Sequence, residues 1–266
     1  MSIWQSIAMG AVQGLTEFLP VSSSGHLEIA GALFRTDGAD NLWFTLMVHL
    51  ATVLASIVVF RREIFRILQG VFRFTLNDQS VYFLNIVVSM LPILFVGLLF
   101  KDKIEALFND NLVFVGAMLL LTAVLLALSH FTRPGTRPIT PKRAFIVGIA
   151  QAVAVLPGLS RSGATISAAL LQGVKRDQAA RFSFLMVVIP ILGMSFLDLV
   201  KGAPKVSTGG ESFVITMLAG FVTAFLTGLF ACKVMVRLVS RGKLIWFAAY
   251  CVAAGITAII LGLTGV

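Results

Sequence analysis

Six apolar runs constrain this chain most: about 44–60, 82–100, 112–130, 182–200, 213–231 and 244–263. Each approaches the roughly 20 residues a helix needs to cross the hydrocarbon core of a bilayer, about 30 Å thick. The runs are continuous rather than alternating, which excludes a transmembrane β-barrel, whose strands switch sides at every residue. With 58% hydrophobic and 12% charged residues, the fold class is an all-α polytopic integral membrane protein.

Two further apolar stretches cannot be single spans. In residues 1–33, Pro20 and the run Ser22–Gly25 interrupt any helix. The half-helices, about 3–19 and 24–33, are each too short to cross the core. A re-entrant hairpin fits them. Irregular backbone at membrane depth survives only inside protein or against a wet cavity. Residues 144–172 are apolar and broken in the same way at Pro157-Gly158. The stretch 131–143, with Arg133, Arg137, Lys142 and Arg143, reads as a connector between halves. The remaining links are 34–43, 61–81, 101–111, 172–181, 201–212 and 232–243.

The halves match at an offset of 138. Gln13 falls on Gln151, Ser22 on Ser160, Ser24 on Ser162, Gly25 on Gly163 and Phe44 on Phe182. Ser23 falls on Arg161 and Glu17 on Val155. A shared order of broken and unbroken segments makes this a degenerate duplication. The expectation is one membrane domain over 1–266, with repeats 1–130 and 144–266 joined by 131–143. Each repeat is a re-entrant helical hairpin plus three transmembrane helices. Three spans per repeat is odd, so the repeats have inverted topology. Links 61–81, 131–143, 172–181 and 232–243 carry 15 of the 21 Lys and Arg residues. That asymmetry puts those links in the cytoplasm and both termini outside. The two hairpin tips then meet near the midplane.

The net charge is +9. Its carriers sit in short links between spans, which suits contact with anionic lipid headgroups rather than nucleic acid. Cys232 and Cys251 have no metal or disulfide spacing. Residues 1–12 carry no basic leader region, so the first segment is expected in the mature protein.

Polar groups inside an apolar segment are costly and mark function by default. Residues 13–26 hold Gln13, Glu17, Ser22, Ser23, Ser24 and His26. Helices starting near Ser22–Gly25 and near Ser162-Gly163 offer backbone N–H groups and positive dipole ends, and a serine can cap each. Two such starts facing each other make an anion site, here for a lipid diphosphate. Arg161 lies at one tip, and its planar fork suits phosphate oxygens. The plainer alternative pairs Arg161 with Glu17 or Glu28. Gln13 and Glu17 share a helical face. Glu17 is a candidate general acid or base, or a ligand for a divalent cation, against a plain capping or pairing carboxylate. Gln13 and Gln151 read as hydrogen-bonding support. Ser23 and His26, three apart, are alternative nucleophiles, against serines that only cap. His49 and His130 lack such company and read as packed or interfacial. Asp198 reads as a cap or snorkelling group. Gly97, Gly116, Gly193, Gly220 and Gly228 suit close helix contact.

The strings Gln-Gly-Leu-Thr-Glu-Phe-Leu-Pro-Val-Ser-Ser-Ser-Gly-His at 13–26 and Pro-Gly-Leu-Ser-Arg-Ser-Gly-Ala-Thr at 157–165 closely resemble the two signature motifs of the bacterial undecaprenyl-diphosphate phosphatases, also called bacitracin-resistance proteins. The likeness runs over essentially the whole chain. It implies hydrolysis of undecaprenyl diphosphate to the monophosphate and inorganic phosphate, recycling the carrier for peptidoglycan synthesis. Shorter prenyl diphosphates are implied as further substrates. It also implies the bacterial inner membrane, an active site open to the outer face, stimulation by Mg²⁺ or Ca²⁺, and a homodimer among its assemblies. By position, Glu17, Ser23, His26 and Arg161 match the residues implied in chemistry. Ser22, Ser24, Ser160, Ser162 and Thr165 match the phosphate cradle, with Gly25 and Gly163 at its turns. Arg181 departs from the acid that the resemblance leads one to expect nearby. Inverted repeats with broken helices are also the plan of secondary transporters, so a prenyl-phosphate transporter or flippase is the competing expectation.

Overall fold

The computed structural model describes residues 1–34, 38–100, 111–200 and 211–264, which form eleven helices and their connections. The first hairpin is α1 (Ile3–Thr16) and α2 (Ser23–Phe34). Ser2 opens α1 with a capping box, its hydroxyl accepting from Gln5 N while the Gln5 side chain accepts from Ser2 N. The second hairpin is α7 (Pro141–Val153) and α8 (Arg161–Leu171). Thr140 caps α7, and Pro141 stands at its first turn, where a missing N–H costs nothing. All four helices are shorter than a span, as the breaks at Pro20 and Pro157 require.

The long helices are α3 (Gly38–Val59), α5 (Asp78–Leu99), α6 (Leu112–Phe131), α9 (Arg176–Val200), α10 (Glu211–Ser240) and α11 (Ile245–Thr264). Among the described residues, α5, α6, α11 and the Phe213–Ser240 portion of α10 are long and apolar enough to cross a membrane. The chain is thus an all-helical, multi-pass membrane protein.

Residues 61–81, expected as a link, instead begin with a helix, α4 (Arg61–Val71), bent 74° from the end of α3. Ile64, Ile67, Leu68 and Val71 recur at helical spacing among its arginines. Ile67 and Gly70 are buried, and Phe65 and the arginines point outward. Such an amphipathic helix suits the membrane interface. Asn77 closes it, donating to Gly70 O at 2.9 Å and capping α5. Arg181 Nη1 reaches Glu63 Oε1 at 2.8 Å and ties α9 to α4.

Packing crosses between the halves. α1 lies on α10, with Gly10 against the Gly220 backbone, and α7 lies on α5, with Gly148 against the Ser89 backbone. Those two glycines are equivalent at the 138 offset. α6 lies on α11, where Gly116 and Gly255 abut and neither has room for a methyl group. Gly220 and Gly228 also sit in contacts, as expected, but Gly97 and Gly193 face open space. A glycine in a span therefore did not always mark an interface.

The four basic links gather at one end. Arg137 N donates to Gly173 O at 3.0 Å, His130 Nδ1 bonds Gly242 O at 3.1 Å, and Gly242 abuts the Arg176 guanidinium. At the opposite end, Gln5 Nε2 donates to Phe34 O at 3.2 Å. The side chains of Arg35, Asp37, Asp40 and Asp198, and the links 101–110 and 201–210, lie outside the described residues.

Candidate active site

Each hairpin ends in a serine turn with the same internal wiring. Ser22 Oγ accepts from Gly25 N at 3.3 Å, and Ser160 Oγ accepts from Gly163 N at 3.0 Å. Ser22 and Ser24 hydroxyls lie 3.3 Å apart, as do those of Ser160 and Ser162. A serine thus satisfies one of the N–H groups left open at each helix start.

The two tips touch. Ser162 Oγ donates to Leu19 O at 3.2 Å. Gly25 packs on Gly158, where an added methyl would stand 3.2 Å from the Gly158 Cα. Gly158 itself has φ +87° and lies against the Val115 carbonyl, so only glycine fits. This contact brings the starts of α2 and α8 together, as the sequence predicts.

Glu17 sits where the tips meet, its side chain only 10% exposed. Its Oε2 accepts from Gln13 Nε2 at 2.9 Å and from Ser23 Oγ at 2.6 Å. Its Oε1 lies 3.8 Å from Arg161 Nη2, across the hairpins. A buried carboxylate needs such company to stay in place. Thr165 Oγ1 donates to Arg161 O at 2.8 Å, holding the first turn of α8. A small cavity opens beside the pair. Glu17, Arg161, Ser162 and Thr165 line it together with Phe18, Val53 and Phe184. The lining thus combines groups that suit an anion with groups that suit a hydrocarbon chain.

The other expected residues divide. Gln13 supports Glu17 directly. Its equivalent, Gln151, is fully buried with no hydrogen-bond partner among the described residues. Ser23 and His26 do not pair. His26 Nδ1 lies 2.7 Å from Ser22 O and Nε2 lies 2.7 Å from Tyr250 Oη. A carbonyl can only accept, so the proton is on Nδ1 and the lone pair of Nε2 faces the tyrosine hydroxyl.

His49 was missed. It lies in the middle of α3, yet its Nε2 is 3.8 Å from Glu17 Oε2, while its Nδ1 bonds Thr45 O at 2.8 Å. The available signal was a polar stripe of His49, Thr52 and Ser56 at helical spacing within an apolar run. Tyr250, on α11, was missed because its partner, His26, is far away in sequence.

The implied divalent cation meets a poor fit. Among the described residues no three His, Cys, Asp or Glu side chains converge. The Glu17 carboxylate already faces a guanidinium and an imidazole. Mg²⁺ and Ca²⁺ need mostly oxygen ligands, and these side chains alone do not supply them.

Fold and site together define a class: a polytopic membrane protein with serine, carboxylate and guanidinium groups gathered at the tips of two short helical hairpins. The model of the family described as "Bacitracin resistance protein BacA" matches residues 6–257. A Bacteroides thetaiotaomicron protein named undecaprenyl-diphosphatase is 50% identical over 261 residues, covering 98% of this chain and 99% of its own. Proteins of the same name from Parabacteroides distasonis and Methanococcus vannielii are 49% and 40% identical, covering 97% and 95% of this chain and 98% and 97% of their own. The chain belongs to the bacitracin resistance protein BacA family.

Proposed function

We propose that this protein hydrolyses undecaprenyl diphosphate to undecaprenyl phosphate and inorganic phosphate, with Glu17, Ser23 and Arg161 as its reacting core. The observation that carries this is the cavity in which Glu17 of one hairpin faces Arg161 of the other, in a lining that also holds apolar side chains. The diphosphate docks against Arg161 and the starts of α2 and α8. The first isoprene units lie against Phe18, Val53 and Phe184.

The 2.6 Å contact between Ser23 and Glu17 supports Ser23 as nucleophile, since a hydroxyl needs an adjacent base. Ser23 Oγ attacks the terminal phosphorus and its proton passes to Glu17 Oε2. The bond to the bridging oxygen breaks, and the prenyl monophosphate leaves with the bonding electrons and the proton from Glu17. Water then attacks the phosphoserine and gives a proton to Glu17. Phosphate departs as that proton returns to Ser23 Oγ. Gln13 holds the carboxylate in line, and Arg161 balances charge on the phosphoryl oxygens. These steps use only the chain's own side chains, since those among the described residues do not fit a resident divalent cation.

The same reading includes an inverted duplication. The matched serine turns, the equivalent contacts of Gly10 and Gly148, and the gathering of basic links at one end support it. It puts those links in the cytoplasm, both termini outside and the site open to the outer face of the inner membrane. The test is phosphate release from farnesyl diphosphate by detergent-purified protein. Release without any membrane gradient, abolished by Ser23→Ala, is the expected result. Substrate binding with no release would leave transport as the function.

A further inference from the structure

Ser22 has φ +69°, a left-handed conformation that is unfavourable for a residue with a side chain. Its equivalent in the second hairpin, Ser160, has φ −70°. Ser160 is tied through its N–H to Thr122 Oγ1 at 3.0 Å, whereas Ser22 is tied through its carbonyl. His26 Nδ1 donates to that carbonyl at 2.7 Å, and Tyr250 Oη meets His26 Nε2 at 2.7 Å. At the 138 offset, Ala164 stands for His26 and Leu112 for Tyr250. The second turn therefore has neither link.

The same segment of α11 holds the tip at another point. Cys251 Sγ, fully buried, donates to Pro20 O at 3.5 Å. The Tyr250 ring stacks on His26 with centroids 5.5 Å apart and planes 11° from parallel. Tyr250 is 48% exposed on the outside of the bundle, yet its hydroxyl turns inward. Donation to Nε2 leaves Nδ1 as the only protonated nitrogen, which is the nitrogen that restrains Ser22.

We propose that Tyr250 is a positioning residue for the reaction, acting through His26 to hold the Ser22 turn and so keep Ser23 on Glu17. This rests on the reading of Ser23 and Glu17 given above. Without the hydroxyl, Nε2 loses its donor, the ring is free to turn, and the strained serine relaxes.

The experiment is Tyr250→Phe, which keeps the stacked ring and removes only the hydroxyl. It is measured in detergent with farnesyl diphosphate and by ¹⁵N NMR of the histidine side chains. Loss of one hydrogen bond should lower kcat about tenfold and leave KM within about twofold. The Nε2 resonance of His26 should move while those of His130 stay. An unchanged kcat overturns the proposal. So does a raised KM at full kcat, which would make Tyr250 a substrate contact. A lowered kcat with the Nε2 resonance unmoved also overturns it, since that is a general structural effect. Ser23→Ala run alongside separates the two claims: full activity there would sink the reading of the reacting core and not the link from Tyr250 to His26.

Discussion

The two hairpins share a scaffold and differ in what they carry. Both end in a serine that caps a glycine N–H and sits 3.3 Å from a second serine hydroxyl. Both bury a glutamine completely, Gln13 in one and Gln151 in the other. Yet the first tip has Glu17 and Ser23, where the second has Val155 and a cation, Arg161. The difference teaches that matched turns can part both in backbone, φ +69° at Ser22 against −70° at Ser160, and in the groups they carry. Neither tip alone holds a carboxylate, a serine hydroxyl beside it and a guanidinium.

That division of labour can be broken at single atoms. Glu17→Gln keeps the shape and removes the base, so phosphate release should fall by about 10³, within the range for general base catalysis. Arg161→Ala should cost about 10²–10³, as for loss of one preorganised charge-stabilising group, and Arg161→Lys should restore only part of it because the fork is lost. Both are read from initial rates on a prenyl diphosphate, and activity within twofold of the parent would place the chemistry elsewhere.

His49→Gln is a finer probe of the first hairpin's surroundings. An imidazole 3.8 Å from Glu17 and 20% exposed is one polar contact, so its loss should slow turnover roughly fivefold, about 1 kcal/mol. His130→Gln is the matched control, since His130 bonds a loop carbonyl at the far end of α6. Equal effects from both substitutions would remove His49 from the site.

The smallest effect is that of Gln151, read against its equivalent Gln13. Gln13→Leu removes a hydrogen bond to Glu17 and should slow turnover about fivefold to tenfold. Gln151→Leu deletes an amide without a partner among the described residues, and should leave turnover unchanged and raise stability by about 1 kcal/mol. Thermal unfolding of the two variants side by side separates the roles. A loss of stability in Gln151→Leu would show that the amide is satisfied in the working protein.

Much of this was legible in the sequence, because proline and serine runs inside apolar stretches allow few outcomes. The first hairpin was expected at 3–19 and 24–33 and has Ile3–Thr16 and Ser23–Phe34. The meeting of the tips followed from the matched breaks. The helix α4 was hidden because its three arginines, Arg61, Arg62 and Arg66, masked an amphipathic period. His49 and Tyr250 were hidden because their partners are 32 and 224 residues away in sequence, and no local spacing records such a contact. Gly97 and Gly193 looked like contact glycines, but packing depends on the neighbour as much as on the small residue.

The most direct test is a double-mutant cycle between the hairpins, with Glu17→Gln, Arg161→Ala and the pair measured as kcat/KM for one prenyl diphosphate. Groups that act as one unit are strongly non-additive. The prediction is that the pair loses about as much as the worse single variant. Losses that multiply would mean that Glu17 and Arg161 act independently, and that the two tips do not form one site.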